Sequence, residues 1–268
     1  MNLKTTSHFV ISNFNTDPQD LLQYCQNFTI YDQSNLEIAR RSVLNLRSPL
    51  SRFPLNSGHN LTDYFSFFEE NWQELPETMA LLKGNIIGRH LSREYFERVI
   101  GNRHYTFLYE DANYKPDQVV SSLLYESGFL ELNNSWYANA KVHRYFSNYN
   151  QLLKFIFVDP IIPRWILFSP GGCYILPRSQ IERYPIALFQ TLNFLGSYRY
   201  FPSEAYFIER LMHTIFTANY AIQPYLYDFQ EAMSELEKFP DRTNETQSVG
   251  SVFERLNRRI GIKFGPKV

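Results

Sequence analysis

A chain of 268 residues with 44% hydrophobic and 17% aromatic side chains, among them 23 Phe and 19 Tyr, can bury one sizeable core and is too aromatic to stay disordered. Its net charge of -1, without a long run of either sign, points to neither a nucleic-acid groove nor an anionic membrane surface. Two distant cysteines, Cys25 and Cys173, match no metal spacing and no disulfide framework, and no apolar run approaches the roughly 20 residues that span a bilayer. With no apolar leader at Met1 to His8, a cytoplasmic protein is expected.

Taken in chain order, His8 to Phe14 predicts a strand, and Asp17-Pro18 opens a helix that continues through Leu21, Leu22, Tyr24 and Cys25. Phe28 to Tyr31 predicts the next strand, with Asp32 in the turn that ends it. Strand, helix, strand at this spacing is a βαβ unit with a parallel pair, and a strand-end acid of this kind suits a nucleotide site. Arg40, Arg41, Arg47 and Arg52 follow in an irregular connection and could pair with phosphate oxygens.

Leu61, Tyr64, Phe65, Phe68, Trp72 and Leu75 recur at helical spacing up to Pro76, and the unbroken run Met79-Ala-Leu-Leu82 is the mark of a strand covered on both faces. The loops flanking this unit carry His59, Lys83, Asn85, Arg89 and His90. Beyond them, Ser92 caps a helix, Tyr105 to Tyr109 forms a strand, and Glu110-Asp111 stands at its end, where adjacent carboxylates could hold sugar hydroxyls or a metal.

Residues 112 to 150 show no sustained period. Gln151 to Phe157 predicts a helix, and Trp165 to Phe168 leads into Ser169-Pro-Gly171-Gly172-Cys173-Tyr174, where paired glycines permit positive φ and a close ligand approach. One helix is expected from Pro177 to Leu195 and another, capped by Ser203, from Glu204 to Phe216, with Glu204 favoured as a carboxylate by the helix dipole. Residues 1–240 make one domain; residues 241–268 are a polar segment and a basic terminal helix or tail.

This order of elements, with Asn71-Trp-Gln-Glu-Leu-Pro76, Leu82-Lys-Gly-Asn85, Gly172-Cys-Tyr-Ile-Leu-Pro-Arg178 and Glu204 to Leu211, resembles a glycosyltransferase-like family. That family spans bacterial surface-polysaccharide proteins, fungal proteins and the sugar transferases of large algal viruses. The resemblance covers roughly residues 8 to 220. It implies a single α/β domain of GT-A type, with a mostly parallel central sheet flanked by helices. It also implies a nucleoside-diphosphate sugar donor, uridine-linked, and a glycan hydroxyl as acceptor.

On the same resemblance, Asp32 contacts the base or ribose, and His59, Arg89 and His90 lie by the donor. Gly171, Gly172, Cys173 and Tyr174 border the acceptor and the donor sugar, with Glu110 and Asp111 as further sugar contacts. Glu204 is the first candidate for base and Glu209 the second. Such folds commonly hold Mn or Mg with a strand-end Asp-x-Asp. Lys83-Gly84-Asn85 stands in that place here, so Lys83 would neutralise the diphosphate instead. The competing reading is a non-catalytic carbohydrate-binding or scaffold protein. A phosphotransferase is disfavoured because neither a Gly-x-x-x-x-Gly-Lys loop nor a Gly-x-Ser-x-Gly elbow is present.

Overall fold

The computed structural model describes residues 4–37, 43, 51–52, 54–110, 128–133 and 143–242. Eight strands are found among them: β1 (Thr5–Asn13), β2 (Cys25–Asp32), β3 (Ser51–Arg52), β4 (Thr78–Lys83), β5 (Thr106–Phe107), β6 (Phe129–Leu132), β7 (Trp165–Phe168) and β8 (Tyr174–Pro177). The described helices are α1 (Gln19–Leu22), α2 (Leu61–Glu70), α3 (Arg93–Val99), α4 (Tyr149–Ile156), α5 (Arg178–Ile181), α6 (Ile186–Ser197), α7 (Glu204–Thr217) and α8 (Phe229–Glu237).

Six strands form one sheet in the order β3-β2-β1-β4-β8-β5, and β6 pairs with β7 in a separate ribbon. β3, β2, β1 and β4 are mutually parallel, whereas β8 runs antiparallel to both β4 and β5. The protein is therefore α/β with a mostly parallel central sheet flanked by helices. The chain first builds outward from β1 through β2 to β3, then returns to the other side of β1 for β4. That reversal is a topological switch point, beyond whose strand ends open α/β sheets bind ligands.

Strands β1 and β4 are buried on both faces, which is why they read as apolar runs. Val10, Met79 and Leu81 join a large cluster with α2, α4, α6, α7 and α8. On the opposite face, Phe9, Ile11, Ala80 and Leu82 pack with Leu21 of α1 and with Tyr95, Phe96 and Val99 of α3.

Several boundaries differ from the sequence expectation. Helix α1 ends at Leu22, and Cys25, expected inside it, opens β2 as a buried core residue. Thr5 N donates to Tyr24 O at 2.8 Å, so pairing with β1 draws the chain into strand immediately after one helical turn. The single helix expected over Pro177 to Leu195 is two, because Pro185 carries no N–H and the residue before it is held out of the helical region. Strand β6 falls in the stretch where no period was visible. Ser203 makes no capping hydrogen bond to α7. Asp111, Arg40, Arg41, Arg47 and most of the expected 241–268 tail lie outside the described residues, and no described helix is long and apolar enough to cross a membrane.

Candidate functional site

The carboxyl ends of β1, β2 and β4 open into a cleft of about 380 Å³, within the range of small-ligand sites. Each strand supplies its last residue or the one beside it: Ser12 from β1, Gln33 after β2, and Lys83 with Gly84 and Asn85 at the end of β4. Gly84 is needed for close approach, since a Cβ there would fall 2.1 Å from Asn13 Oδ1 and 2.6 Å from Thr16 Oγ1. Facing the strand ends, the loop before α2 contributes Asn56, Gly58, His59 and Asn60, while Tyr200, Phe201, Tyr206 and Glu209 come from the entry and first turns of α7.

The lining combines aromatic and cationic side chains. His59 stacks on Phe201 with ring centroids 4.4 Å apart, and its Nε2 lies 3.1 Å from Pro202 O, which fixes the loop before α2 to the start of α7. Tyr200 and Phe14 stand exposed at the rim. Lys83 and Arg89 also line the cleft, and neither forms an ion pair among the described residues. His90, beside these cations, is held neutral. Burial, and then the charges of Lys83 and Arg89, bring its pKa down to about 4.

Beneath the cleft floor lies Asp63, on the buried side of α2. Ser12 Oγ donates to its Oδ2 at 2.5 Å and Gln33 Nε2 to its Oδ1 at 2.7 Å. Gln33 also donates to His59 O at 3.1 Å and accepts from Ser57 N at 3.1 Å, so one amide links the end of β2, α2 and the loop before it. Burial pushes the Asp63 carboxyl up to about 7, with Asp32 adding to the rise, while the bonds from Ser12 and Gln33 oppose it.

The Gly171-Gly172 turn lies behind the lining residues Asn60, Lys83 and Glu209. Both residues have positive φ, +82° and +61°. A Cβ on Gly171 would sit 2.9 Å from Lys83 Cδ, and one on Gly172 only 2.6 Å from Leu61 Cδ2. Asn60 Nδ2 donates to Gly171 O, and Gly171 N donates to Glu209 Oε1 at 2.5 Å. Glu209 Oε2 in turn meets Arg210 Nη1 at 2.9 Å. Lys83 and Glu209 thus flank the same glycine.

The geometry brings together His59, Lys83, Asn85, Arg89 and Glu209 on the described wall, with Gly171 and Gly172 behind it. It leaves out others that the sequence suggested. Glu204 is fully buried, accepting from Tyr145 N at 2.9 Å and from Tyr198 Oη at 2.8 Å, so its carboxylate serves α7 packing and does not line the cleft. Asp32 is also closed off. Its Oδ1 accepts from Asn13 Nδ2 at 3.1 Å and from Ser34 Oγ at 2.5 Å, while Oδ2 has no hydrogen-bond partner. Gln33, one residue on, takes the wall position expected of Asp32.

Cys173 and Tyr174 point into the core: Tyr174 Oη accepts from Ser169 N at 2.8 Å, and burial raises the Cys173 thiol pKa. Glu110 accepts from Ser92 N at the start of α3. His90 flanks the cleft without lining it. Sequence reading passed over Ser12, Gln33 and Asp63, whose importance comes from contacts far along the chain. The aromatic run Tyr198-Arg-Tyr-Phe201 before a helix was the available signal for Tyr200 and Phe201.

Among the described residues no three His, Cys, Asp or Glu side chains gather as a metal site. At the end of β4 stand an ammonium and an amide, and the wall carboxylate of Glu209 is already committed to Gly171 and Arg210. Hard divalent cations take several oxygen ligands, so this donor set does not fit Mn or Mg. Fold and cleft define an α/β protein with a cleft at the switch point of its mostly parallel sheet. No family model, curated protein or solved structure matches the chain.

Proposed function

We propose that this cleft binds a nucleoside-diphosphate sugar and that the protein is a glycosyltransferase of GT-A type acting on a glycan hydroxyl. The observation that carries the reading is the pairing of Lys83 and Arg89, both without an ion-pair partner among the described residues, with an aromatic wall at the switch point. Guanidinium and ammonium groups match phosphate oxygens, and flat aromatic faces suit a base or a sugar ring.

In transfer, the acceptor oxygen attacks the anomeric carbon, the bond to the diphosphate breaks, and its electron pair leaves on the phosphate oxygen. Lys83 and Arg89 stabilise that developing charge. The acceptor proton goes to Glu209, the carboxylate on the described wall, which Gly171 N–H and Arg210 hold in one orientation.

A second reading, a non-catalytic carbohydrate-binding protein, draws on the same restraint of Glu209, whose two oxygens are both engaged. Calorimetry with uridine diphosphate and its sugars, with manganese and with chelator, tests the first reading. Saturable binding that survives the chelator and falls about 10- to 100-fold in Lys83→Ala and Arg89→Ala is expected, the loss of one charge-assisted contact each. Binding of glycans but of no nucleotide would support the second.

A further inference from the structure

Ser12 lines the cleft at the end of β1, yet its hydroxyl hydrogen is committed beneath the floor. The hydrogen-bond partner of its Oγ among the described residues is Asp63, to whose Oδ2 it donates at 2.5 Å. In the register of β1 and β4, Ser12 stands opposite Lys83, so this hydroxyl neighbours an ammonium that lines the same cleft. A hydroxyl whose hydrogen is held by a carboxylate offers a ligand only lone pairs, which repel an anion.

A proton on Asp63 reverses that direction. Its other oxygen is taken: Gln33 Nε2 donates to Oδ1 at 2.7 Å and to His59 O at 3.1 Å, while Gln33 Oε1 accepts from Ser57 N, and these bonds fix which way the amide faces. An added proton therefore settles on Oδ2, donates to Ser12 Oγ and frees the serine hydrogen for the cleft. Burial pushes the Asp63 carboxyl up to about 7, and Asp32 at the end of β2 adds to the rise. The other titratable groups around it are set apart. His8 on β1 is lowered to about 4 by burial, and burial raises both Tyr31 and Tyr64. Helix α6, which packs on α2, carries no charged side chain. On the cleft lining stand Lys83, Arg89, His59 and Glu209.

We infer that Ser12 Oγ donates to a phosphate oxygen of the ligand, and that Asp63 is its positioning residue, taking up a proton from solvent as the diphosphate binds. The inference rests on the donor reading above and adds to it a contact and a linked proton. Linkage is reciprocal, so a ligand that favours the protonated carboxyl binds more tightly as pH falls.

Calorimetry with uridine diphosphate glucose tests this, because a diphosphate esterified at both ends lacks the terminal phosphate proton that titrates at about 6. The parent chain is expected to bind about tenfold more tightly at pH 6 than at pH 8.5, and heats in buffers of different ionisation enthalpy should show uptake of about half a proton at pH 7.5. Asp63→Asn puts an NH2 where the carboxyl proton would be. It should bind at pH 8.5 as the parent does at pH 6, without the uptake. Ser12→Ala, which keeps Asp63, should bind about tenfold more weakly than the parent at pH 6 and lose most of the pH dependence. Undiminished uptake in Asp63→Asn, full pH dependence in Ser12→Ala, or a parent constant that is equal at both pH values overturns the inference and leaves the donor reading standing. A parent chain that binds no nucleotide sugar at either pH removes both.

Discussion

Two glutamates five residues apart on α7 have different surroundings. Glu209 faces the cleft; Glu204 closes the helix onto Tyr145 and Tyr198. Glu209→Gln is expected to lower sugar transfer by about 10²- to 10⁴-fold with little change in thermal midpoint, the scale of a lost general base. Glu204→Gln should do the reverse. Its amide oxygen can keep the Tyr145 N–H, but its NH2 then meets Tyr198 Oη, which must turn from donor to acceptor, and both bonds lose the carboxylate's charge, costing about 1–3 kcal/mol of stability in a denaturant melt while leaving turnover of the folded fraction near that of the parent. Parent-like turnover in Glu209→Gln would return the assignment to the binding-only reading.

Asp63 makes a prediction in pH. Its pKa is raised from 3.8 to about 7 in the folded chain, so between these values the folded state holds a proton that the unfolded state has released. Stability from this group therefore falls as pH rises through that window, by at most about 1.4 kcal/mol per pH unit. His8 and His90, both lowered to about 4 by burial, act in the opposite sense below pH 6.5. The readout is accordingly the difference between parent and Asp63→Asn: the variant should gain stability relative to the parent as pH rises from about 4 to 7. A constant difference across that range would contradict the assignment.

At the scale of elements, the Gly171-Gly172 turn between β7 and β8 places Lys83 and Glu209 on either side of one peptide. Gly172→Ala would put a methyl carbon 2.6 Å from Leu61 Cδ2 and 2.7 Å from Met212 Sδ at a φ of +61°. The combined strain and overpacking should cost about 2–4 kcal/mol, measurable as a lowered thermal midpoint, and weaken ligand binding as the turn shifts. This turn was legible in the sequence because paired glycines between apolar runs have few other uses. Asp17-Pro18, Ser92 and the 3.6-residue stripe of α2 were legible for the same local reason, and in the structure Gln19 N donates to Asp17 Oδ1 and Tyr95 N to Ser92 Oγ. The break at Pro185 was also written locally, although apolar residues on both sides masked it.

For the whole molecule, β1 and β4 belong to both core clusters, their alternate residues facing opposite helical layers. Phe96→Ala on the α3 side should therefore cost about 3–5 kcal/mol and lower the unfolding midpoint by the same amount for probes on either face. Separate transitions for the two layers would show that the shared strands do not couple them. The reversal of strand order between β3 and β4 is what brings three strand ends to one cleft.

Local physics was sufficient for the class of this protein: unbroken apolar runs for doubly covered strands, helical stripes for the layers beside them, and a βαβ beginning for the parallel sheet. It also marked Lys83, Asn85, Arg89 and His59, which line the cleft, and the paired glycines beside Lys83, all in loops flanking recognisable elements. Tertiary structure alone decided that Gln33 and not Asp32 reaches the cleft, that Glu209 and not Glu204 faces it, and that Asp63 lies beneath Ser12. Those choices rest on strand order and on which side of a helix meets the sheet. Contacts between residues tens or more than a hundred positions apart set both, and no local pattern records them.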